Sequence, residues 1–333
     1  MSVIEVLAPG LLTTVQDLGR EGFGPMGVSP SGAADPVALR IGNRLVGNAE
    51  CAAALEMTLL GGAFLFPEGA LAALTGSDFG AALDGAEVPP WTSFEANPGQ
   101  TLRLGPTRSG ARCYLCMQGG IAVKPFLGSA STHLLSGLGG YQGRALRKGD
   151  VLKLGDSDGP SRAGLPARYA CSNSIHSGNC CRKVARKIRE RLAPRKVLRV
   201  TAGPQSGWFS QAAEEVLYGG TYRVSEEANR MGLRLNGAPI HEGAHGGMIS
   251  EGVSLGAVQV AAGGMPIILF VEQQTTGGYA KMANVISADL SSLGQLRPRD
   301  EIRFQRVTFE TARKLLFEQE KLLTSKDLIV ETT

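Results

Sequence analysis

The sequence predicts a mainly β protein built from two domains, and three observations support this prediction. The chain has 333 residues, about twice the length of a typical domain. It contains 45 glycines, roughly double the usual share, whereas only 19% of its residues are charged. Short apolar or alternating runs, each ended by Gly, Pro or Asp, recur along the chain. This composition excludes intrinsic disorder, coiled coils and collagen.

Residues 1–155 hold the first set of these runs and are expected to form the first domain. One helix should interrupt the strands, because Asp35 can cap it, Pro36 suits its first position and Gly47 can end it. The expected strands are Val3–Leu7, Ala63–Phe66, Leu71–Thr75, Thr101–Leu104, Ala111–Met117 and Val151–Leu154.

Residues 197–310 hold the second set and are expected to form the second domain, with a helix over Trp208–Leu217. Residues 311–333 are expected to form a C-terminal helix and tail, because Phe309–Leu323 shows a helical apolar period. The expected strands are Leu198–Thr201, Tyr222–Val224, Gly256–Val260, Ile267–Val271 and Ile302–Gln305. The face of the C-terminal helix that should pack inward holds Ala312, Leu315, Leu316, Gln319, Leu322 and Leu323.

The two halves of the chain share a faint repeat. Gly80-x-x-Leu83-Asp84-Gly85-Ala86 recurs as Gly232-x-x-Leu235-Asn236-Gly237-Ala238. Asp-Gly and Asn-Gly between apolar runs favour two-residue β-hairpins, because such turns need positive φ at both positions. The repeat indicates two related β-barrel-like units, although a common hairpin motif can also recur by chance.

Residues 156–196 are expected to form a basic linker or insertion. The net charge of the chain is +4, and this stretch alone holds ten basic and three acidic residues. Within it, Arg182–Leu192 has the spacing of an amphipathic helix, which can be a solvated linker helix or a patch for an acidic partner. The rest of the chain lacks the basic surface that nucleic-acid binding requires, so no nucleic-acid partner is expected.

The sequence predicts a cytoplasmic protein. It contains no apolar run of 18 residues, so no membrane association is expected, and no secretory signal is visible at its N-terminus. Six irregularly spaced cysteines favour reduced thiols over a disulfide framework.

No metal site is expected, although two patterns leave the possibility open. The run His241-Glu242-Gly243-Ala244-His245 matches a zinc-protease pattern, but its glycines and Pro239 favour a loop where that chemistry needs a helix. A group of Cys and His residues in the linker, namely Cys171, His176, Cys180 and Cys181, is the second. Cys113 and Cys116 are expected to be core thiols.

The chain also lacks a P-loop, so any ATP would bind without a recognisable sequence motif or partly on another chain.

The most informative stretch follows the apolar strand Ile267–Val271. It reads Glu272-Gln273-Gln274-Thr275-Thr276-Gly277-Gly278-Tyr279-Ala280-Lys281 and is dense in hydroxyl, amide and amino groups beside two glycines. Glycine allows close approach of the backbone to a ligand, and the polar side chains supply directed donors. Such a loop suits an oxygen on which negative charge develops, although a tight polar turn would have the same composition.

Several motifs resemble the biotin-dependent carboxyltransferase family. They run in order from about residue 3 to 307 and are very specific to that family. The segments that carry the resemblance are Thr13–Arg20, Gly27–Pro36, Leu74–Asp78, Gly119–Ile121, Leu127–Ser129, Gly137–Gly140, Gly203–Gln205, Arg230–Leu233, Ser250–Val253, Gln274–Tyr279 and Val285–Leu290. The family includes the C subunit of bacterial 5-oxoprolinase, an antagonist of the Kip sporulation-kinase inhibitor, and the allophanate-hydrolase subunit 2 region of urea carboxylase.

The resemblance implies two cyclophilin-like β-barrel domains with the active site at their junction. It also implies a hetero-oligomer that holds an A-type and a Kip-inhibitor-like B-type subunit. This assembly would use ATP, with Mg, to open the lactam of 5-oxo-L-proline to L-glutamate, and the chain alone would be inactive. Two alternatives stay open: transfer of a carboxyl group to urea or a related amide from biotin on a separate carrier, and non-catalytic binding of a Kip-inhibitor-like partner.

Ten residues form the candidate site: nine lie within these motifs, and Lys281 ends the polar stretch described above. Asp78, Glu251 and Lys281 are the catalytic candidates, the carboxylates as acid, base or positioning groups and Lys281 as an electrostatic stabiliser. The substrate-binding candidates are Ser31, Asp35, Arg230, Gln274, Thr275, Thr276 and Tyr279. The chain departs from the family pattern at Gln273, where Arg is usual, at Asn229, where Asp is common, and at His133, where Tyr is common.

Overall fold

The computed structural model describes residues 2–155, 181–241 and 248–331, and the chain divides into two compact units. Unit 1 takes Met1–Arg20, Ser31–Leu192 and Leu323–Thr333, and unit 2 takes Glu21–Pro30 and Ala193–Leu322. Strands predominate in both units, as the sequence predicts. No helix among the described residues is long and apolar enough to span a bilayer.

The strands of the described residues, in chain order, are β1 (Val3–Ala8), β2 (Leu12–Gln16), β3 (Ala54–Thr58), β4 (Ala63–Phe66), β5 (Ala70–Gly76), β6 (Ala82–Leu83), β7 (Ala86–Glu87), β8 (Thr92–Ala96), β9 (Gln100–Arg103), β10 (Arg112–Met117), β11 (Val151–Lys153), β12 (Arg182–Val184), β13 (Val197–Ala202), β14 (Tyr222–Val224), β15 (Gly232–Asn236), β16 (Glu251–Gly252), β17 (Ala257–Val260), β18 (Pro266–Leu269), β19 (Thr276–Gly277), β20 (Lys281–Val285), β21 (Glu301–Arg306) and β22 (Ile329–Glu331). The α-helices are α1 (Pro36–Leu45), α2 (Arg186–Arg191), α3 (Gln211–Gly219), α4 (Leu290–Gly294) and α5 (Phe309–Leu323). Short 3₁₀ turns lie at Gly24–Met26, Ser206–Trp208, Ser287–Asp289 and Lys326–Leu328.

Unit 1 contains two antiparallel sheets. One has the order β11-β1-β4-β9-β6-β7 and the other the order β2-β3-β10-β5-β8-β12-β22. Its hydrophobic core draws fully buried side chains from both sheets, among them Ile4, Phe64 and Leu102 from the first and Leu55 and Leu115 from the second. Cys113 and Cys116 lie in this buried region, and burial raises the pKa of both thiols, so they are core residues as predicted.

Unit 2 contains a closed barrel with the order β13-β20-β17-β18-β15-β14-β21. The barrel closes through a parallel pair, β13 with β21, in which Val197 lies opposite Arg303. A separate two-stranded ladder joins β16 to β19. The closed barrel confirms the β-barrel prediction for this half of the chain.

The predicted helices form, with shifts at their ends. Asp35 caps α1 by accepting a 2.9 Å hydrogen bond from the Ala38 amide, and Pro36 is the first helical residue. The Trp208–Leu217 helix begins later, at Gln211, because Ser210 caps it there. Helix α5 covers Phe309–Leu323 as predicted, and its predicted inward face is half-buried or buried.

The two repeated turn motifs differ in structure. Asp84 and Gly85 both have positive φ and join β6 to β7 in the predicted hairpin. At Asn236-Gly237 the hairpin prediction is wrong, because β15 pairs with β14 and β18 and not with a strand that follows it directly. Gly237 allows a close approach there, since a Cβ at this position would lie 2.6 Å from the Tyr222 ring.

The basic stretch is only partly helical. Arg182–Val184 forms strand β12, which pairs with β22 and β8, and the helix α2 is limited to Arg186–Arg191. Cross-strand pairing with a segment about 150 residues later overrides the local helical spacing. Most of the predicted linker, residues 156–180, lies outside the described residues. The boundaries of the compact units therefore differ from those predicted at 155/156, 196/197 and 310/311: residues 182–192 and 323–331 belong to unit 1, and residues 21–30 to unit 2.

Candidate functional site

A buried lysine and a half-exposed glutamate form an ion pair in unit 2. Lys281 begins β20 with a side chain only 3% exposed, and its Nζ lies 2.7 Å from Oε1 of Glu251. Gln205 completes the cluster: its Nε2 donates to the same Glu251 oxygen at 2.8 Å, and its Oε1 accepts from the Lys281 amide at 3.1 Å. Two predicted catalytic residues thus lie together, joined by a glutamine that the site prediction did not include.

The backbone explains why this cluster forms. Gly203 lies so close to β20 that a Cβ would stand 2.2 Å from the Lys281 carbonyl oxygen, so a larger residue would move Gln205 away from the lysine. Glu251 is held by the ladder between β16 and β19, in which it lies opposite Gly277. The segment Gln274–Tyr279, which we call the Gln274–Tyr279 loop, is therefore tied to the ion pair.

The polar side chains of the Gln274–Tyr279 loop are accessible. Gln274, Thr276 and Tyr279 are exposed and Thr275 is half-buried, whereas Gly277 is buried. A Cβ on Gly277 would lie 2.7 Å from Nε2 of Gln259 and 2.9 Å from Nε2 of Gln274. Glycine at this position lets two amide side chains approach the loop backbone.

The ion pair sets the charge state of the glutamate. Hydrogen bonds from Lys281 and then Gln205 hold the pKa of Glu251 below its ordinary value, so it is ionised at neutral pH. An ionised carboxylate is a weak base and not an acid, which favours a positioning role for Glu251. The buried ammonium of Lys281 can stabilise negative charge that develops on a nearby oxygen.

A second ion pair is buried in unit 2. Arg230 and Glu272 contact each other through Nε and Oε1, both are almost fully buried, and the Glu272 amide donates to the Arg230 carbonyl at 2.8 Å. Asn229 caps this turn, because its Oδ1 accepts from the Met231 amide at 2.8 Å. An aspartate could make the same bond, so the Asn229 departure leaves the turn intact. The buried pairing of Arg230 gives it a structural role beside its predicted role in binding.

The remaining predicted residues lie in unit 1. Ser31 is buried with φ of 54°, and its Oγ has no hydrogen-bond partner among the residues that the structure describes. Asp35 caps α1, and its amide donates to the Tyr114 hydroxyl at 2.7 Å. Asp78 accepts from the Gly80 amide at 2.7 Å and lies 3.4 Å from Nη1 of Arg108. These contacts stabilise local loops and helix α1. The catalytic role of Asp78 and the substrate-binding roles of Ser31 and Asp35 stay predictions.

Two buried carboxylates organise the loops of unit 1, and site prediction from the sequence missed both. Asp17 accepts from the Gly19 and Ala130 amides at 2.8 and 2.6 Å, and from the hydroxyls of Ser129 and Ser131. The Asp17-Leu18-Gly19 and Leu127-Gly128-Ser129 motifs carried the signal, since polar loop residues next to glycines fit such ties.

The second carboxylate, Glu56, lies in strand β3. Its Oε2 accepts from the Ala34 amide at 2.8 Å and from the Tyr114 hydroxyl at 2.7 Å. Burial beside this carboxylate raises the pKa of Tyr114. Glu56 and Tyr114 thus fix the segment that leads from Ser31 to Asp35.

The described residues contain no group of three or more His, Cys, Asp or Glu arranged to hold a metal ion. His241 lies outside regular secondary structure, whereas residues 242–247 and the linker residues Cys171, His176 and Cys180 fall outside the described residues. The zinc alternatives therefore stay open.

Known proteins resemble this chain along most of its length. Residues 26–306 match the carboxyltransferase domain, subdomain A and B. The chain is 36% identical to the C subunit of 5-oxoprolinase from Escherichia coli, covering 96% of both proteins. It is 33% identical to urea amidolyase of Saccharomyces cerevisiae, covering 98% of this chain but only 18% of that protein.

The fold shows the same relationship. The crystal structure of the Kluyveromyces lactis urea amidolyase superposes with a TM-score of 0.84 at 32% identity, over 98% of this chain and 21% of that one. Because the family match, the identities and the fold agree over nearly the whole chain, this protein belongs to the carboxyltransferase domain A and B family.

Proposed function

We propose that this chain is a subunit of an ATP-dependent 5-oxoprolinase, which cleaves the lactam of 5-oxo-L-proline to L-glutamate. The observation that carries the proposal is the 36% identity to the C subunit of 5-oxoprolinase from Escherichia coli across 96% of both chains. A second protein of that name, from Haemophilus influenzae, is 32% identical over 99% of both. A match along the full length of both chains favours this reaction over one taken from a small part of a larger enzyme.

The geometry of unit 2 is suited to lactam opening. Attack on a lactam carbonyl builds negative charge on its oxygen. A cation close to that oxygen stabilises the charge best where water is excluded. Lys281 supplies such a cation, while Glu251 and Gln205 fix its position. Gln274, Thr275, Thr276 and Tyr279 are assigned to orient the substrate. Asp78 is assigned as an acid, base or positioning group. Substrate binding is further assigned to Ser31, Asp35 and Arg230.

We further propose that the chain acts only in a hetero-oligomer. Its partners would be an A-type and a Kip-inhibitor-like B-type subunit, and ATP with Mg would bind the assembled complex. The name shared by the two relatives supports the need for partners, because it designates one subunit of an enzyme.

The second candidate function is biotin-dependent transfer of a carboxyl group to urea or a related amide. The TM-score of 0.84 to the Kluyveromyces lactis urea amidolyase favours it. Both candidates act on an amide-type C–N group and build charge on oxygen, so the same ammonium would serve either. They differ in their requirement for biotin.

The test is reconstitution. The chain is purified alone and with its A-type and B-type partners, and formation of ADP and glutamate from 5-oxoproline is measured. We expect turnover only with the partners. Urea is tested in parallel as the alternative substrate, and avidin is added to both reactions. Avidin should abolish a biotin-dependent reaction and leave the opening of 5-oxoproline unaffected. Binding of the B-type partner with no turnover of either amide would instead support the non-catalytic alternative.

Two variants test the site within the active complex. Lys281→Ala and Thr276→Ala should each lower kcat/KM, Lys281→Ala by about 100-fold. Lys148→Ala is the matched control, because Lys148 is an exposed lysine of unit 1. Unchanged activity in both site variants would show that the assignment of the site is wrong even if the reaction is correct.

A further inference from the structure

Two buried amide groups of unit 2 each have one atom without a hydrogen-bond partner among the described residues. They are Nε2 of Gln259 and Oε1 of Gln273, on side chains that are 2% and 5% exposed. Burying an amide atom without a partner destabilises a fold, so such atoms are rare and often functional. The two atoms are complementary in kind, since one is a donor and the other an acceptor.

Gln259 lies next to the lysine of the candidate site. In the pairing of β17 with β20, Gln259 is directly opposite Lys281, at a bulge that follows Val258. Both side chains also border the ladder of β16 and β19. A Cβ on Gly277 would lie 2.7 Å from Gln259 Nε2, and Gly277 lies opposite Glu251, whose Oε1 is 2.7 Å from Lys281 Nζ.

Gln273 directly precedes the Gln274–Tyr279 loop in the chain. Its Nε2 donates to the Val253 carbonyl at 3.4 Å, which leaves Oε1 as the open end of the amide. Val253 also borders Gly277, because a Cβ on that glycine would stand 3.1 Å from Val253 Cγ1 and 2.7 Å from Gln259 Nε2. Both glutamines thus adjoin the small region around Val253 and Gly277.

Strand β19, which contains Gly277, is held by few contacts. Strand β19, Thr276–Gly277, pairs with β16 through only two residue pairs, and Glu251, Gly252 and Thr276 are all exposed. Short, exposed ladders are the elements that open at low free energy. Separation of β19 from β16 would uncover the Gln259 amide without disturbing the barrel strand that carries it.

We propose that Gln259 and Gln273 determine specificity by binding the amide group of the substrate. Gln259 Nε2 donates to the carbonyl oxygen, beside Lys281, and Gln273 Oε1 accepts from the amide N–H. A lactam or urea presents this acceptor and this donor side by side on one edge, whereas an ester or a carboxylate lacks the N–H. The inference rests on the proposed function and names the chemical group that the site recognises.

The experiment compares Gln259→Leu and Gln273→Leu with wild type, in the complex for kinetics and in the purified chain for thermal unfolding. Leucine has a similar volume and no polar atom. Gln259→Leu should raise Tm by about 2–4 °C, because an unpartnered buried group is removed, and should lower kcat/KM about 100-fold. Gln273→Leu should raise KM about tenfold with a smaller change in kcat. Gln305→Leu, at an exposed glutamine of β21, is the control and should change neither.

A gain in stability combined with a loss of activity is the signature of a group kept for function. A Gln259→Leu chain that unfolds at a lower temperature than wild type, or an active complex that tolerates both substitutions, would overturn the inference while the proposed function stands. A wild-type complex that turns over neither 5-oxoproline nor urea would instead overturn the proposed function, and recognition of these amides with it.

Discussion

The two buried carboxylates of unit 1 and the polar cluster of unit 2 differ in how completely their hydrogen-bonding atoms are satisfied. In unit 1, the Asp17 carboxylate accepts from four donors, and the Glu56 carboxylate binds an amide and a tyrosine hydroxyl. In unit 2, a buried ammonium relies on a half-exposed glutamate, and two glutamines each keep an open atom. Complete networks hold loops in one conformation, whereas incomplete ones are available to a ligand. We therefore assign a mainly architectural role to the carboxylates of unit 1 and a mainly functional role to the cluster of unit 2.

The largest expected effect is on the Asp17 network. Asp17→Ala would leave two amides and two hydroxyls of the loops around Gly19 and Ser129–Ser131 without their acceptor. We expect the free energy of unfolding to fall by about 3–4 kcal/mol, measured by urea denaturation. Asp327→Ala, at an exposed aspartate, should change it by less than about 0.5 kcal/mol. Similar values for the two variants would show that the Asp17 carboxylate does not hold these loops.

A pair of glycines gives the next largest contrast. Gly32 has φ of 98°, and a Cβ there would lie 2.9 Å from the Gly19 backbone nitrogen, so Gly32→Ala should cost about 2 kcal/mol or more. A Cβ at Gly277 would meet the ends of two glutamine side chains and a methyl group of Val253, all of them side-chain atoms, so Gly277→Ala should cost less than about 1 kcal/mol. In the active complex, however, the Gly277→Ala variant should lose activity. A Gly277→Ala chain as unstable as Gly32→Ala would show that unit 2 is equally rigid.

A smaller effect is expected at Tyr114. Tyr114→Phe removes the hydroxyl that links Glu56 to the Asp35 amide, and should lower the free energy of unfolding by about 1–2 kcal/mol. Thermal and urea unfolding measure this change. Tyr279→Phe, at an exposed tyrosine of unit 2, is the matched control and should leave stability unchanged. A neutral Tyr114→Phe would show that the network does not hold this loop.

The smallest effect concerns the pKa of Glu251. Lys281 and then Gln205 lower this pKa from its ordinary value of 4.5. Because the folded pKa lies below the unfolded one, the stabilising contribution is complete above the unfolded pKa and is lost as the pH falls through the folded pKa. NMR titration of the carboxyl should show a higher pKa in Lys281→Met and a smaller rise in Gln205→Leu. An unchanged pKa in Lys281→Met would argue against the ion pair in solution.

Local signals in the sequence predicted the elements whose causes are local. Helix α1 follows from Asp35 and Pro36, and the β6–β7 hairpin follows from Asp84-Gly85, because capping and turn geometry involve neighbouring residues. The equivalent signal at Asn236-Gly237 predicted a hairpin that does not form, because β15 pairs with β14 and β18 of the barrel. Strand β12 escaped prediction for the same reason, because its partner β22 is supplied by residues about 150 positions away.

The candidate site shows the same division. The Gln274–Tyr279 loop and Lys281 were identified from the composition of one polar stretch, and Glu251 from a family motif. Their contact, 30 residues apart in the sequence, depends on the β16–β19 ladder and on the close approach of Gly203. The roles of Gln205, Gln259 and Asp17 depend on which atoms find partners after folding, and composition carries little information about that.

The alternation of the chain between the units has a consequence for how the protein forms during translation. Residues 21–30 belong to unit 2, and β22 at Ile329–Glu331, an edge strand of unit 1, pairs with β12 only after nearly all of unit 2 has been synthesised. Domains made of one continuous segment can fold in order as they leave the ribosome. Here the unit that starts first is completed last, so Arg182–Val184 must wait for its partner with an unpaired strand edge. Such an edge is a template for pairing with other chains, and the nascent protein would be most prone to aggregation in that interval.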